Sequence, residues 1–437
     1  MRLLWLTNIP LPEASKLLNE EIIPFGGWLV DTSFDISQVE DVSLSIAFPN
    51  YTLKEIQKLK GENIVYYSFP SIKIKEKDKI EENLYLKKII EEIQPDIVHI
   101  FGTELAHSYA MVNICKKKNI KTVISIQGLV SMISKHYTTG LPTKLIKKST
   151  FRNLIKRDNI YQQQKKFAEL GRYEIEAIKN VSHIIGRTTW DRACTFFLNK
   201  EAQYYYCNET LREIFYHHQW DLDKCEKYTI FLSQGSYPIK GLHFMVEALK
   251  LVLTQFPEAR LYIGGSDITK TYSLTDKLKI TSYGKYINKL INKNNLQDHI
   301  IFSGILDETQ MCERYLKSHV FVCPSTVENS PNSLGEAMIL GLPSVSADVG
   351  GISDLLTHKE EGFLYQSDAP YMLAYYICKI FQNNNIAINL SKKSRLKATK
   401  LHNKEQNLEQ LLRIYRNVNN DFGNQIFLEE RYYDSIS

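Results

Sequence analysis

The sequence predicts an α/β chain of two doubly wound, Rossmann-like domains in series. Three observations carry this expectation. The chain has 437 residues, more than one hydrophobic core usually holds. Short apolar or β-branched runs alternate with helical stretches, the pattern of parallel strands joined by helical crossovers. The alternation runs through the first half, breaks at the polar, charged stretch 208–227, and then runs again.

In the first half, strands are expected at 2–7, 42–47, 64–68, 96–100, 121–126, 183–186 and 202–207, with helices at 79–93 and 104–118 among them. In the second half, strands are expected at 228–233, 259–264, 299–303, 320–323, 344–346 and 362–365. Helices are expected there at 241–254, 308–317, 333–340 and 370–382. The Asn clusters at 292–295 and 383–385 read as exposed turns. A last helix at 402–417 has no place in the second sheet and suits packing back on the first domain. The expected division is therefore 1–212, 213–400, and a returning helix and tail at 401–437.

Composition narrows the class. Hydrophobic residues are 43% and charged residues 24%, the balance of a folded globular protein. The net charge of +5 is too small to imply nucleic acid. No apolar run is long enough to span a bilayer, and the short apolar start lacks a signal-peptidase site. The seven cysteines are scattered without a C-x-x-C pair, which fits a reducing cytoplasm better than a disulfide framework or a zinc site.

The densest chemical signal is Cys323-Pro324-Ser325-Thr326-Val327-Glu328-Asn329-Ser330-Pro331-Asn332-Ser333-Leu334-Gly335-Glu336-Ala337-Met338, running on to Gly341-Leu342-Pro343. A strand ends near Pro324, a loop follows, and a helix begins near Asn332 or Ser333. Loops at the carboxyl ends of parallel strands are where open α/β sheets bind ligands. A helix N-terminus offers unpaired N–H groups and partial positive charge to a phosphate. Glu328 and Glu336 are carboxylates able to accept hydrogen bonds from sugar hydroxyls. An ordinary capped surface helix is the bland alternative.

This block, with Gly350-Gly351 beyond it, resembles the E-x7-E region of retaining family 4 glycosyltransferases, which have the GT-B fold. The resemblance implies that Glu328 contacts the transferred sugar and Glu336 the nucleotide ribose. Amides of Asn332, Ser333 and Leu334 would meet sugar and diphosphate. Lys240-Gly241 is similar to the family's K-G step, whose Lys neutralises the donor diphosphate; an exposed turn lysine is the alternative. Gly26-Gly27-Trp28 resembles the Gly-rich loop that approaches the phosphate from the first domain, or is a simple loop. Ile305-Leu306 stands where the family packs the nucleotide base, or is helix lead-in.

Two positions depart from the family. Residues 233–239 hold no Arg before Lys240, so Lys240 works alone or an Arg from elsewhere substitutes. The place of the family's sugar-side His is taken by Gln127; His99 is the other cleft candidate, or a satisfied strand-end histidine. The resemblance requires neither cofactor nor metal, with a nucleotide sugar, UDP-linked first among the choices, as substrate. Asp221-Leu222-Asp223 reads as a solvated turn.

The acceptor, a glycan or lipid-linked saccharide, is expected on the first domain. Residues 144–166 carry Lys144, Lys147, Lys148, Arg152, Lys156, Arg157, Lys165 and Lys166 against Asp158 alone. Leu145, Ile146, Phe151, Leu154 and Ile155 are interleaved, and Leu141 lies just before them. That mixture suits a surface helix on an anionic membrane, or a plain solvated basic face. The expectation is a cytoplasmic enzyme, peripheral on the membrane, in surface-polysaccharide assembly. A non-catalytic GT-B partner subunit, or a GT-B epimerase or phosphorylase, are the competing readings; nucleic-acid binding lacks a recognition module.

Overall fold

The computed structural model describes residues 1–22, 26–72, 83–271 and 273–420. Two sheets organise them. The first has eight strands: β1 (Arg2–Leu6), β2 (Ser43–Asn50), β3 (Gln57–Lys60), β4 (Val65–Pro70), β5 (Ile97–Phe101), β6 (Lys121–Ser125), β7 (His183–Gly186) and β8 (Gln203–Tyr206). Their order is β3-β4-β2-β1-β5-β6-β7-β8. The second has six: β9 (Thr229–Leu232), β10 (Arg260–Ile263), β11 (Ile300–Phe302), β12 (Val320–Cys323), β13 (Ser344–Ala347) and β14 (Phe363–Tyr365). Their order is β11-β10-β9-β12-β13-β14, and among the described residues these strands all pair in parallel.

The strands read as apolar runs because helices cover both faces. All of β5 (Ile-Val-His-Ile-Phe) and all of β12 (Val-Phe-Val-Cys) is buried. The exception is β3, the one strand the sequence did not announce. It pairs antiparallel with β4 at the sheet edge, and only Leu59 turns inward while Gln57, Lys58 and Lys60 face solvent. Lysines on an edge discourage pairing with another chain, and they also erase the apolar signature of a strand.

Each sheet reverses its winding once, between β1 and β5 and between β9 and β12. The crevice beyond the carboxyl ends of such a strand pair is the natural ligand site of an open α/β sheet.

Several expectations need correction. Asn383-Asn384-Asn385 is no free turn: the Asn383 side chain accepts from the amides of Asn385 and Ile386, capping helix Asn384–Leu401. The helix expected from 79 is seen as Leu84–Ile93, and residues 79–82 lie outside the described residues. The basic segment is three helices, Thr143–Ile146, Phe151–Lys156 and Ile160–Asn180, rather than one amphipathic rod. A capping box at Thr150 and another at Asn159 start the second and third, and Arg157 adopts a left-handed φ of 52° where the second ends. Its apolar residues divide accordingly. Leu141, Leu145 and Ile160 are buried in the core of the second sheet, while Phe151, Leu154 and Ile155 stay exposed.

Helix Lys404–Asn420 packs on the first sheet, burying Leu411, Ile414, Tyr415 and Val418 against Trp5 and its neighbours. The tail at 421–437 lies outside the described residues.

Candidate functional site

The site is built where the second sheet reverses. After β9 the chain makes a short 3-10 turn, Pro238–Lys240, and then Gly241 with φ 69° before helix Leu242–Val252. A Cβ at Gly241 would sit 1.8 Å from the Pro324 carbonyl oxygen, so only glycine lets this turn lie against the end of β12. After β12 the chain runs through Glu328 to Pro331, the N-cap of helix Asn332–Leu340. Gly350, at φ 57°, lies under that loop: a Cβ there would be 1.8 Å from the Glu328 carbonyl oxygen, which accepts from the Gly351 amide at 3.1 Å.

These two loops bring Lys240 and Glu328, 88 residues apart, into contact. Lys240 Nζ donates to Glu328 Oε1 at 2.5 Å, and Ser325 Oγ donates to the same oxygen at 2.7 Å. Glu328 Oε2 has no partner among the described residues. Burial pulls the Lys240 ammonium toward neutrality, but the Glu328 charge and hydrogen bond outweigh it, and its pKa ends above the ordinary lysine value.

Glu336 lies on the first turns of the helix and is nearly buried. Burial pushes its carboxyl up, and Arg212 opposes that shift without cancelling it. Arg212 Nε donates to Glu336 Oε1 at 2.8 Å, and its guanidinium lies 4.8 Å from the centre of the Phe215 ring. Arg212 belongs to the stretch the sequence marks only as a linker. It lines the same cleft of about 240 Å³ as Lys240, Glu328 and Glu336. The cleft's cations are therefore Lys240 from the turn and Arg212 from the connection between the sheets, and residues 233–239 contribute Ser233 and Gln234 to its wall.

The other candidates fall as follows. Gly26 and Gly27 line this cleft from the first sheet's side; Gly26 takes φ 77° at the start of helix Gly27–Ser37, and a Cβ on Gly27 would be 2.8 Å from the Arg212 side chain. Ile305 and Leu306 line it at its far side. Asn332 and Ser333 hold the first-turn amides that a helix cannot pair internally. The Leu334 amide is different: it donates to the Pro331 carbonyl at 2.9 Å, so it has no free N–H for a ligand. Leu334 packs in the core instead.

Gln127, at the end of β6, is tied into a polar network. Its Nε2 donates to Glu209 Oε1 at 2.6 Å, and Glu209 Oε2 pairs with Arg187 at 2.6 Å and accepts from Asn332 Nδ2 at 3.2 Å. Arg187 and Glu209 are both almost fully buried. Arg187 Nε and Asn332 Oδ1 are buried and left without a partner among the described residues. Arg187, Glu209 and Arg212 were missed by sequence reasoning, because no local pattern distinguishes a cleft arginine from any other.

His99 is a correction. It is wholly buried in β5, stacked on Phe101, with Nδ1 2.6 Å from Tyr415 Oη and Nε2 2.7 Å from Ser125 Oγ. Trp5 Nε1 donates to the same Tyr415 oxygen at 2.9 Å. An indole only donates, so the Tyr415 oxygen accepts from Trp5, and both histidine nitrogens are engaged, one with Tyr415 and one with Ser125. Burial pulls the ring's pKa down to about 3, so it is a neutral part of the core with no nitrogen to offer a substrate.

The reversal of the first sheet carries its own carboxylate. Asn8, after β1, donates through Nδ2 to Glu104 Oε2 at 2.7 Å, and the Gly128 amide reaches Glu104 Oε1 at 3.3 Å. Burial, assisted by the charge of Glu174, pushes the Glu104 carboxyl up to about 7. The folded state thus holds a proton there that the unfolded state releases at the ordinary carboxyl value of 4.5. Stability from this group is whole below that value and is lost as pH rises through about 7. Glu104→Gln is expected to flatten the fall of melting temperature between those pH values; an unchanged slope would refute the assignment.

Among the described residues no three His, Cys, Asp or Glu side chains gather as a metal site, and no helix is long and apolar enough to cross a membrane. Asp221 accepts from the Asp223 amide at 3.0 Å and pairs with Lys224.

Comparison with known proteins agrees with this geometry. Residues 214–397 match the family described as glycosyl transferases group 1, and residues 38–164 match glycosyl transferase 4-like proteins. YtcC of Bacillus subtilis (strain 168), named as a glycosyltransferase, is 25% identical over 195 residues, 44% of this chain and 46% of that protein. The chain thus spans about half the length of this curated relative. Among solved structures, sucrose-phosphate synthase from Thermosynechococcus elongatus superposes with a TM-score of 0.69 at 16% identity, over 96% of this chain and 99% of that one. Anabaena Alr3699/HepE, solved in complex with UDP, gives a TM-score of 0.63 at 14% identity, over 95% and 100%. The two matched families, laid end to end on two sheets whose facing crevices form the Lys240–Glu328–Glu336 cleft, make this chain a member of the group 1, family 4-like glycosyltransferases with the GT-B fold.

Proposed function

We propose that the protein transfers a sugar, with retention of anomeric configuration, from a UDP-linked donor to a glycan or lipid-linked saccharide in surface-polysaccharide assembly. The observation that carries this reading is the convergence of Lys240, Glu328, Glu336 and the free first-turn amides of Asn332 and Ser333 on one cleft.

The donor diphosphate would lie against Lys240 and the start of helix Asn332–Leu340, whose amides and partial positive charge favour an anion. Glu336 would take the ribose hydroxyls and Ile305-Leu306 would flank the base. The unpartnered Oε2 of Glu328 would hold a hydroxyl of the transferred sugar. Gly26 and Gly27 would close over the phosphates from the first sheet. Arg212 supplies the cation that residues 233–239 lack. No protein nucleophile is needed: as the sugar–phosphate bond breaks, preorganised charge stabilises the departing diphosphate. Domain boundaries near 212 and 400 would place the donor in the second domain and the acceptor in the first. The exposed Phe151, Leu154 and Ile155, beside Lys147, Lys148 and Lys156, would rest on an anionic membrane on the cytoplasmic side. UDP in the crystal structure of Alr3699/HepE supports the choice of base.

The test is a thermal-shift and donor-hydrolysis screen against UDP-, GDP- and ADP-sugars. UDP-sugars are expected to stabilise the protein and to be hydrolysed slowly, with both effects lost in Lys240→Ala and Glu336→Ala. No response to any sugar nucleotide would sink the reading.

A further inference from the structure

On the outer side of the first domain, helices Val130–His136, Ile160–Asn180 and Thr189–Phe196 enclose an apolar groove of about 530 Å³. Met132, Ile175, Trp190, Cys194 and Leu198 line it. Small residues make the room: Ala168 and Gly171 on one helix, Ala193 on another. Gly171 also sets the helix spacing, since a Cβ there would meet Ser131 Cα at 2.7 Å. The wall is fixed by Glu174. This buried carboxylate accepts from the amides of Val130 and Ser131 at 2.8 and 2.9 Å, capping helix Val130–His136.

Three features say what the groove takes. Phe197, 80% exposed, extends the apolar surface outward. Lys135 and Arg172 stand at the rim, and among the described residues neither is held by a carboxylate. Trp190 belongs both to this groove and to the opening that holds Gln127, Lys240 and Glu328. An occupant therefore needs an apolar chain, an anionic head, and a polar part that reaches the cleft past Trp190.

We infer that the groove binds the lipid part of the acceptor, an alkyl or prenyl chain bearing a phosphate. The chain lies between the three helices, the phosphate meets Lys135 and Arg172, and the saccharide passes Trp190 toward Glu328. This deepens the glycosyltransferase reading and rests on it. It makes the groove a specificity element, separate from the exposed Phe151–Ile155 surface.

The experiment titrates the full chain calorimetrically with decyl phosphate below its micelle concentration, with inorganic phosphate and decanol as parallel arms and UDP binding as the control. Decyl phosphate is expected to bind saturably. Filling the groove with Ala193→Trp, at an exposed position, is expected to weaken it at least tenfold, as is the double change Lys135→Glu with Arg172→Glu; UDP binding stays unchanged in both. Decanol should bind more weakly and ignore the charge reversal, and phosphate alone should not bind. Absence of saturable decyl phosphate binding in a protein that still binds UDP overturns the groove assignment alone. So does binding that neither variant weakens, or equal binding of inorganic phosphate. Loss of UDP binding by the unsubstituted protein overturns the glycosyltransferase reading itself and the groove assignment with it.

Discussion

Lys240→Ala is expected to lower kcat for sugar transfer by about 100- to 1,000-fold, the cost of removing one preorganised donor from developing transition-state charge. The lysine is suited to that task by its surroundings. Gly241 lets the turn press on the end of β12, which delivers the ammonium to Glu328 at 2.5 Å with only 26% of its side chain exposed. In so sheltered a place its attraction for a departing diphosphate is screened less than in water. The ammonium stays charged because Glu328 outweighs the cost of burial. With a folded pKa above the unfolded value, its contribution to stability is whole below about pH 10 and is lost only at more alkaline pH. Lys240→Arg should fall between the wild type and Lys240→Ala, since it keeps the charge but changes its geometry. Initial rates with the donor identified by the screen check this. A folded Lys240→Ala protein within about threefold of wild type would remove Lys240 from the mechanism.

Tyr415→Ala is expected to destabilise the protein by about 3–5 kcal/mol, the usual cost of emptying a buried aromatic site. The ring is fully buried on the first sheet, and its hydroxyl joins Trp5 to His99. Tyr415→Phe keeps the packing but orphans the Trp5 N–H and His99 Nδ1, and should cost about 1–3 kcal/mol. Urea unfolding followed by tryptophan fluorescence measures both. A loss below about 1 kcal/mol for Tyr415→Ala would mean that helix Lys404–Asn420 is an appendage rather than part of the first core.

That helix shows where reading the chain stopped. Its apolar spacing announced a helix, yet nothing local could say that Tyr415 would accept a hydrogen bond from Trp5, 410 positions earlier. The same contact decides His99. As a strand-end histidine it looks like a cleft residue; with Tyr415 and Ser125 on its two nitrogens it is core. The basic segment shows the same limit in its division into helices. Its mixed lysines and leucines read as one surface helix, but the caps at Thr150 and Asn159 start two separate helices, Leu141 and Leu145 turn into the second core, and Phe151, Leu154 and Ile155 stay exposed.

What the sequence by itself determined is whatever depends on neighbours within a few residues. Runs such as Ile97–Phe101, bounded by turns and alternating with helical stretches, read as strands buried on both faces, and a strand, a loop with Glu328 and a helix with Glu336 place both carboxylates beyond the carboxyl end of a parallel strand. Tertiary structure alone decided which polar groups meet the carboxylates of the site. Arg212 meets Glu336 across 124 positions, and Gln127 and Arg187 meet Glu209 across 82 and 22. The first of these cations lies in a connecting segment with no pattern of its own. Its role comes from the path that segment takes between two sheets, and that path is set by the burial of Leu211 and Phe215 beside it in the second core, not by the identity of the arginine.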